Sequence, residues 1–283
     1  MTGIEDLQAW VGRKRGIQDE MAAPLVRRMA ALTGRAGIDL NRGAAAPAHW
    51  LAMLFDDAAP QAALGADGHP MKGDFLPPIP LPRRMLGGRR LRFLREPCIG
   101  DALTRETTIA SITPKQGRSG ALIFVMLRHE ISDARGLIAT EEQDIAYREA
   151  GGAAASASPA PEKPETAWRK PFRPDSVMLF RYSALGFNGH RIHYDADYAR
   201  QVEGYPALVV NGGLTTLMLL EAALQQVPGR SLLEADIRTL RPLFCDAKAM
   251  LCGAAPDSEG RQMLWVEDEA GAMVLRISAR ITP

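Results

Sequence analysis

The sequence predicts an α+β protein in which one unit, a curved antiparallel sheet wrapped round a hydrophobic helix, occurs twice. Extended, alternating segments come in two sets of four, and a helix that is apolar nearly all round, Leu214 to Gln226, precedes the second set. The two sets share turn landmarks in the same order. Pro97-Cys-Ile-Gly-Asp101 matches Pro242-Leu-Phe-Cys-Asp246, Gly117-Arg118 matches Gly260-Arg261, and Gly136 and Gly271 each open a last strand. A chain of 283 residues is also close to two domains of about 150 residues each.

Taken in order, Gly3 to Thr33 reads as helical, because Leu25, Met29 and Leu32 recur at helical spacing and Gly34 is a C-terminal breaker. A second short helix is expected over Ala48 to Phe55, as a shortened, more polar counterpart of the later apolar helix. From Ala58 to Pro82, five prolines in thirteen residues exclude regular structure and leave a long loop. Strands follow over 91–95, 102–112, 120–131 and 136–148. The stretch from Glu149 to Trp168 is rich in Gly, Ala, Ser and Pro, has nothing to offer a core, and reads as a linker. The domains are therefore expected at 1–148 and 169–283, with 149–168 between them. The second half is expected to begin with an extended segment, 172–185, and to continue through a short helix at Asp195 to Val202. The apolar helix comes next, and then strands at about 235–243, 247–254, 261–267 and 272–281.

Composition narrows the function. Thirty-four basic against 33 acidic residues leave a formal charge of +1, which supplies no field for nucleic acid or an anionic membrane. No apolar run is long enough to span a bilayer. Cys98, Cys245 and Cys252 sit in no metal-ligand pattern and cannot all pair, so neither a disulfide framework nor structural zinc is expected, and a reducing cytoplasm is the natural compartment. Chemistry-bearing residues concentrate in Phe187-Asn-Gly-His-Arg-Ile-His-Tyr-Asp195. His190 and His193 are three apart with no third ligand at useful spacing, so no metal is expected. Asp195 suits a helix cap.

That segment, followed by Glu203-Gly-Tyr-Pro-Ala-Leu-Val-Val-Asn-Gly-Gly213 and an apolar helix, resembles the MaoC-like hydratases, whose motif is Gly-Asp-x-Asn-Pro-x-His with Ala-His-Gly before the helix. Arg95-Glu-Pro-Cys-Ile-Gly-Asp101 and Gly136-Leu-Ile-Ala-Thr-Glu-Glu-Gln-Asp144 resemble the degenerate N-terminal half of the double-hot-dog branch. That branch includes itaconyl-CoA and mesaconyl-C4-CoA hydratases and 3-hydroxyacyl-thioester dehydratases. The resemblance implies a double hot dog forming a pseudo-dimer, with an acyl-CoA substrate, no further cofactor, and a homodimer of double hot dogs as an assembly. His193 falls on the motif histidine. Asn188 stands where the family has aspartate, and an amide cannot accept a proton as a carboxylate can. Gly212 takes the place of the motif glycine and Asn211 that of its histidine.

The implied chemistry is addition of water across a double bond conjugated to a thioester, with a short branched dicarboxylic acyl group preferred. His193 would be the base, Asn188 would hold the water, and the N–H of Gly212 or Gly213 would polarise the carbonyl. Arg83, Arg84 and Arg191 are candidate partners for a second carboxylate. Two other readings fit the same residues: an acyl-CoA thioesterase, and an acyl-CoA-binding module without catalysis.

Overall fold

The computed structural model describes residues 4–56, 58–117, 120–149 and 162–282. Ten strands build one antiparallel sheet: β1 (Lys14–Glu20), β2 (Arg83–Phe93), β3 (Ala102–Gly117), β4 (Gly120–Asp133), β5 (Gly136–Arg148), β6 (Trp168–Phe172), β7 (Leu232–Thr239), β8 (Ala249–Gly253), β9 (Arg261–Glu267) and β10 (Met273–Ile281). Their order is β1-β3-β4-β5-β2-β7-β10-β9-β8-β6. Each half thus repeats one order, 1-3-4-5-2 and 6-8-9-10-7, and the two expected sheets meet edge to edge. The seam is the β2–β7 pair, in which Arg90 faces Asp236 and Leu91 faces Ala235. Joining the halves this way leaves neither β2 nor β7 as an open edge.

Among the described residues, four α-helices accompany the sheet: α1 (Ile4–Gln8), α2 (Ala23–Thr33), α3 (Ser176–Leu185) and α4 (Gly212–Gln225). None is long and apolar enough to cross a membrane. Helix α4 has Leu214, Leu217, Leu219, Leu220 and Leu224 all buried, as its unbroken apolarity requires. It sits in the main core together with α2, α3 and both half-sheets.

Several expectations are corrected. The first 33 residues are not one helix, because β1 interrupts them. Its sequence, Lys-Arg-Gly-Ile-Gln-Asp-Glu, has a single large apolar residue and so shows no alternation; it forms as an edge strand through its backbone pairing with β3. Residues 176–185 are helix α3, started by the Asp175 side chain accepting from the Met178 N–H at 2.8 Å. The second short helix is a 3₁₀ segment, Ala48–Met53. The strand expected over 91–95 is the end of a longer one, Arg83–Phe93, which takes in Gly87 and Gly88 and in which Arg90 is paired with Asp144 and Glu142 across the β2–β5 ladder. Most of the expected linker, 150–161, lies outside the described residues.

One charge is buried in the middle of this core. Glu221 of α4 is 1% exposed, and its carboxylate accepts from His49 Nε2 at 2.7 Å, Trp50 Nε1 at 2.7 Å and Arg35 Nε at 3.3 Å. All three donors come from the first half. Burial alone would raise this carboxyl, but the hydrogen bond and charge of His49, with Arg35 and Trp50, hold it below the usual glutamate range. A depressed carboxylate stabilises fully above its unfolded value near 4.5 and loses that contribution as pH falls through its folded value. Glu221→Gln should therefore cost about 1–3 kcal/mol at pH 7 in urea unfolding, and the deficit should shrink as pH is lowered below the ordinary glutamate range.

Candidate active site

The motif segment leaves α3 through a tight turn. Phe187 adopts a positive φ of 47°, the Asn188 N–H donates to Ser183 O at 2.8 Å, and Asn188 Oδ1 accepts from the His190 N–H at 2.9 Å. Residues Arg191–His193 then form one 3₁₀ turn. The His193 ring is 8% exposed, and its Nδ1 donates to Val209 O at 2.7 Å, while the Val209 N–H donates to Ile192 O at 2.9 Å. This tie between the motif and the strand-like approach to α4 holds the proton on Nδ1 and leaves Nε2 as a lone pair. Burial pushes His193 down to about 4, only partly offset by the Val209 hydrogen bond, so the ring is neutral at physiological pH.

All eight residues singled out in the sequence line one cavity of about 1900 Å³: Asn188, Arg191 and His193, Asn211, Gly212 and Gly213, and Arg83 and Arg84. Their surroundings differ. The Asn211 side chain makes no cap on α4, so the N–H groups of the first helical turn remain available at its positive end. Its Oδ1 is buried without a partner among the described residues. A Cβ on Gly212 would meet nothing closer than 3.8 Å, whereas one on Gly213 would lie 2.0 Å from the Tyr182 hydroxyl. The close approach at Gly213 is thus made by Tyr182. Arg191 is already engaged: it pairs with Asp195 at 2.7 Å, donates to Ala66 O at 3.1 Å and stacks on Tyr198. These contacts hold the Arg191 side chain in place at the cavity wall. Asp195 caps the following turn, accepting from the Tyr198 N–H at 3.0 Å.

The site also recruits residues the motif does not contain. In the long proline-rich loop, residues 65–69 close a turn in which Asp67 Oδ2 accepts from His69 Nδ1 at 2.9 Å. This turn seats directly on the motif. Asp67 O accepts from the Arg191 N–H at 2.9 Å, and Gly68, with φ of +86°, touches Gly189 so closely that a Cβ would stand 1.9 Å from its carbonyl oxygen. The His69 ring lies 4.1 Å from that of His190, which meets His193 edge-on at 5.3 Å. Burial, with the neighbouring His69 and His193, drives His190 down to about 3. Burial would raise the Asp67 carboxyl, but the side-chain and backbone hydrogen bonds of His69 hold it far below the carboxylate range. The absence of a third metal ligand near the two motif histidines therefore holds only along the sequence: ligand atoms of Asp67, His69 and His190 lie within 4.8 Å of one another. An Asp-Gly turn with an adjacent histidine was visible in Ala66-Asp-Gly-His-Pro70; its landing place was not.

The first half contributes a polar floor. Gln143 Oε1 can only accept, so the His129 Nε2–H donates to it at 3.3 Å and the Thr107 hydroxyl donates to His129 Nδ1 at 2.8 Å. Arg105 lines the same wall. Behind this row Arg89 donates to buried Glu141 at 2.9 Å.

Residues 48–245 match the family described as hydroxyacyl-thioester dehydratase type 2. The chain belongs to that family. This type 2 dehydratase relative is also 41% identical to the mesaconyl-C(4)-CoA hydratase of Chloroflexus aurantiacus over 84% of this chain and 85% of that one. It is a hydro-lyase by that kinship. Its fold is that of the double hot dog: a MaoC-like dehydratase from Phytophthora capsici superposes with a TM-score of 0.71 at 14% identity, covering 99% of both chains. A double-hot-dog protein of Mycobacterium tuberculosis gives 0.61 at 16% identity, covering 96% of each.

Gly68→Ala tests the seat of the loop on the motif. The substitution is expected to lift the 65–69 turn and to accelerate hydrogen exchange of the Arg191 amide by roughly tenfold or more, while core amides of α4 exchange as before.

Proposed function

We propose that the protein adds water reversibly across the double bond of an α,β-unsaturated acyl-CoA, with a short branched dicarboxylic acyl group of the mesaconyl-C4 kind, giving citramalyl-CoA; itaconyl-CoA, whose double bond is conjugated with its free carboxyl and not with the thioester, would lead to the same product. The observation that carries the reading is His193: buried, neutral, with its Nδ1 proton committed to Val209 and its Nε2 lone pair available, in a cavity that also holds the N-terminus of α4.

Hydration needs a base for water, a group to aim that water at the β-carbon, and donors for charge building on the thioester oxygen. His193 Nε2 takes the proton from water. The Asn188 Oδ1 is used within its own turn, which leaves its amide N–H₂ to hold the water oxygen. The uncapped N–H of Gly212, at the positive end of a 14-residue helix, faces no Cβ that would keep a thioester away, and it stabilises the enolate-like oxygen. The unpartnered Asn211 Oδ1 suits an amide N–H of the pantetheine arm. Arg83 and Arg84 stand on the cavity wall where the CoA phosphates or a carboxylate would meet them.

The choice of acyl group rests on two supports. One is the 41% identity to the mesaconyl-C(4)-CoA hydratase. The other is the polar floor: the Thr107–His129–Gln143 row ends in the Gln143 amide N–H₂, which its own hydrogen bonds leave for a carboxylate, and Arg105 lines the same wall, an arrangement that offers little to a long alkyl chain.

A panel of enoyl-CoA esters, with products identified by mass, tests the reading. Loss of enoyl absorbance without free thiol is expected, fastest for mesaconyl-C4-CoA, with itaconyl-CoA followed by product mass alone; thiol release from saturated and unsaturated esters alike would make the protein a thioesterase instead. His193→Ala should lower kcat by roughly 10²- to 10⁴-fold, as loss of a general base does. With His193 held near 4, the acid limb of kcat/KM should fall near pH 4 rather than near 6.5.

A further inference from the structure

Addition of water requires two proton transfers, one from the water and one to the α-carbon. His193 accounts for the first. The aspartate of the broader MaoC-like motif is replaced by Asn188 here, which can do neither. The remaining ionisable groups near the motif are nearly all committed elsewhere. Asp195 is held by Arg191 and the Tyr198 N–H, Asp197 is exposed, and burial raises the Tyr182 hydroxyl to about 12 beside Gly213. His190 is held neutral down to about pH 3.

One group is different. His69 lines the same cavity, packs at a 42° tilt against His190 and donates from Nδ1 to Asp67 Oδ2 at 2.9 Å, a hydrogen bond that orients the ring and leaves Nε2 for proton exchange. The turn carrying it is fixed on the motif by the Gly68–Gly189 contact and by two hydrogen bonds from Arg191.

We propose that Asp67 and His69, supplied by the first half's proline-rich loop, form the second proton-transferring pair, with His69 as the catalytic acid and Asp67 as its positioning partner. The proposal rests on the hydratase reading above. As the oxygen of water bonds to the β-carbon, its proton passes to His193 Nε2. The π pair of the double bond takes the proton of His69 Nε2 at the α-carbon. His69 ends neutral and His193 protonated, and exchange with bulk water resets both; dehydration runs the same steps backwards. Motif substitution and loop residue explain one another: the carboxylate missing at Asn188 is present at Asp67, one imidazole further from the substrate.

The charged and titratable groups around His69 are Asp67 and Lys72 on its own loop, Arg84 on β2, and His190, His193, Arg191, Asp195 and Tyr198 on the motif side. Against this background the test uses the full-length protein and the best enoyl-CoA of the panel. His69→Gln should lower kcat by roughly 10²- to 10³-fold with KM changed less than threefold, and should abolish the basic limb of the pH profile. Asp67→Asn should lower kcat less, by roughly tenfold, and move that limb. In heavy water, His69→Gln should lose exchange of the product's α-proton, and His69→Gly should regain turnover with added imidazole, a readout that a collapsed loop cannot give. Wild-type turnover with His69→Gln within threefold of it and an unchanged basic limb would sink the pair while leaving the hydratase standing. Activity removed by a chelator and restored by Zn²⁺ would overturn it too, by making Asp67, His69 and His190 a metal site. A wild type that hydrates no enoyl-CoA would take both readings down.

Discussion

The structure turns on the buried carboxylate of Glu221. Helix α4 is apolar nearly all round except at Glu221, and a charge there is tolerable only with strong partners. His49, Trp50 and Arg35 provide them, and all three lie in the first half of the chain. The central helix of the second half is therefore complete only when the first half is packed against it. The orientation of that helix in turn sets the direction of its uncapped N-terminus, and with it the place where charge on a thioester oxygen would be met.

A second consequence follows from what the first half lacks. Its counterpart of α4 is reduced to the 3₁₀ segment Ala48–Met53, which packs beside α4. Residues of β3–β5 that would otherwise meet a helix, such as Thr107, His129 and Gln143, line the cavity instead. Thr107 and His129 are buried and polar, and they are satisfied by one another and by half-buried Gln143; the Arg89–Glu141 pair behind them is satisfied likewise. The half that lost its helix has become the wall for the acyl group, and the half that kept it carries the histidine motif.

Much of this was legible in the sequence. Alternation located seven of the eight repeated strands closely, and the apolar run of α4 announced its burial. The Phe187 to Asp195 motif and Gly212 converge on one cavity. What escaped has physical causes. Strand β1 is an edge held mainly by its backbone ladder, and with Ile17 as its single large apolar residue its sequence shows no apolar alternation. Helix α3 begins at a capping aspartate but has apolar residues on several faces, which hides its period. The engagement of Arg191 with Asp195 follows the i, i+4 rule and was within reach. The arrival of Asp67 and His69 at the motif was not, since it depends on tertiary packing of a loop with no secondary structure.

The contact between Gly68 and Gly189 bridges about 120 residues of chain and pairs backbone with backbone. Such a contact contributes nothing until both halves of the sheet and the β2–β7 seam have positioned its two loops, because closing so long a loop costs entropy that only the earlier packing offsets. Competence of the site is consequently a late event in folding. A nascent or truncated chain holding either half alone has the histidines or the loop, but never the assembled cluster, so reactive thioesters meet no half-built site along the way.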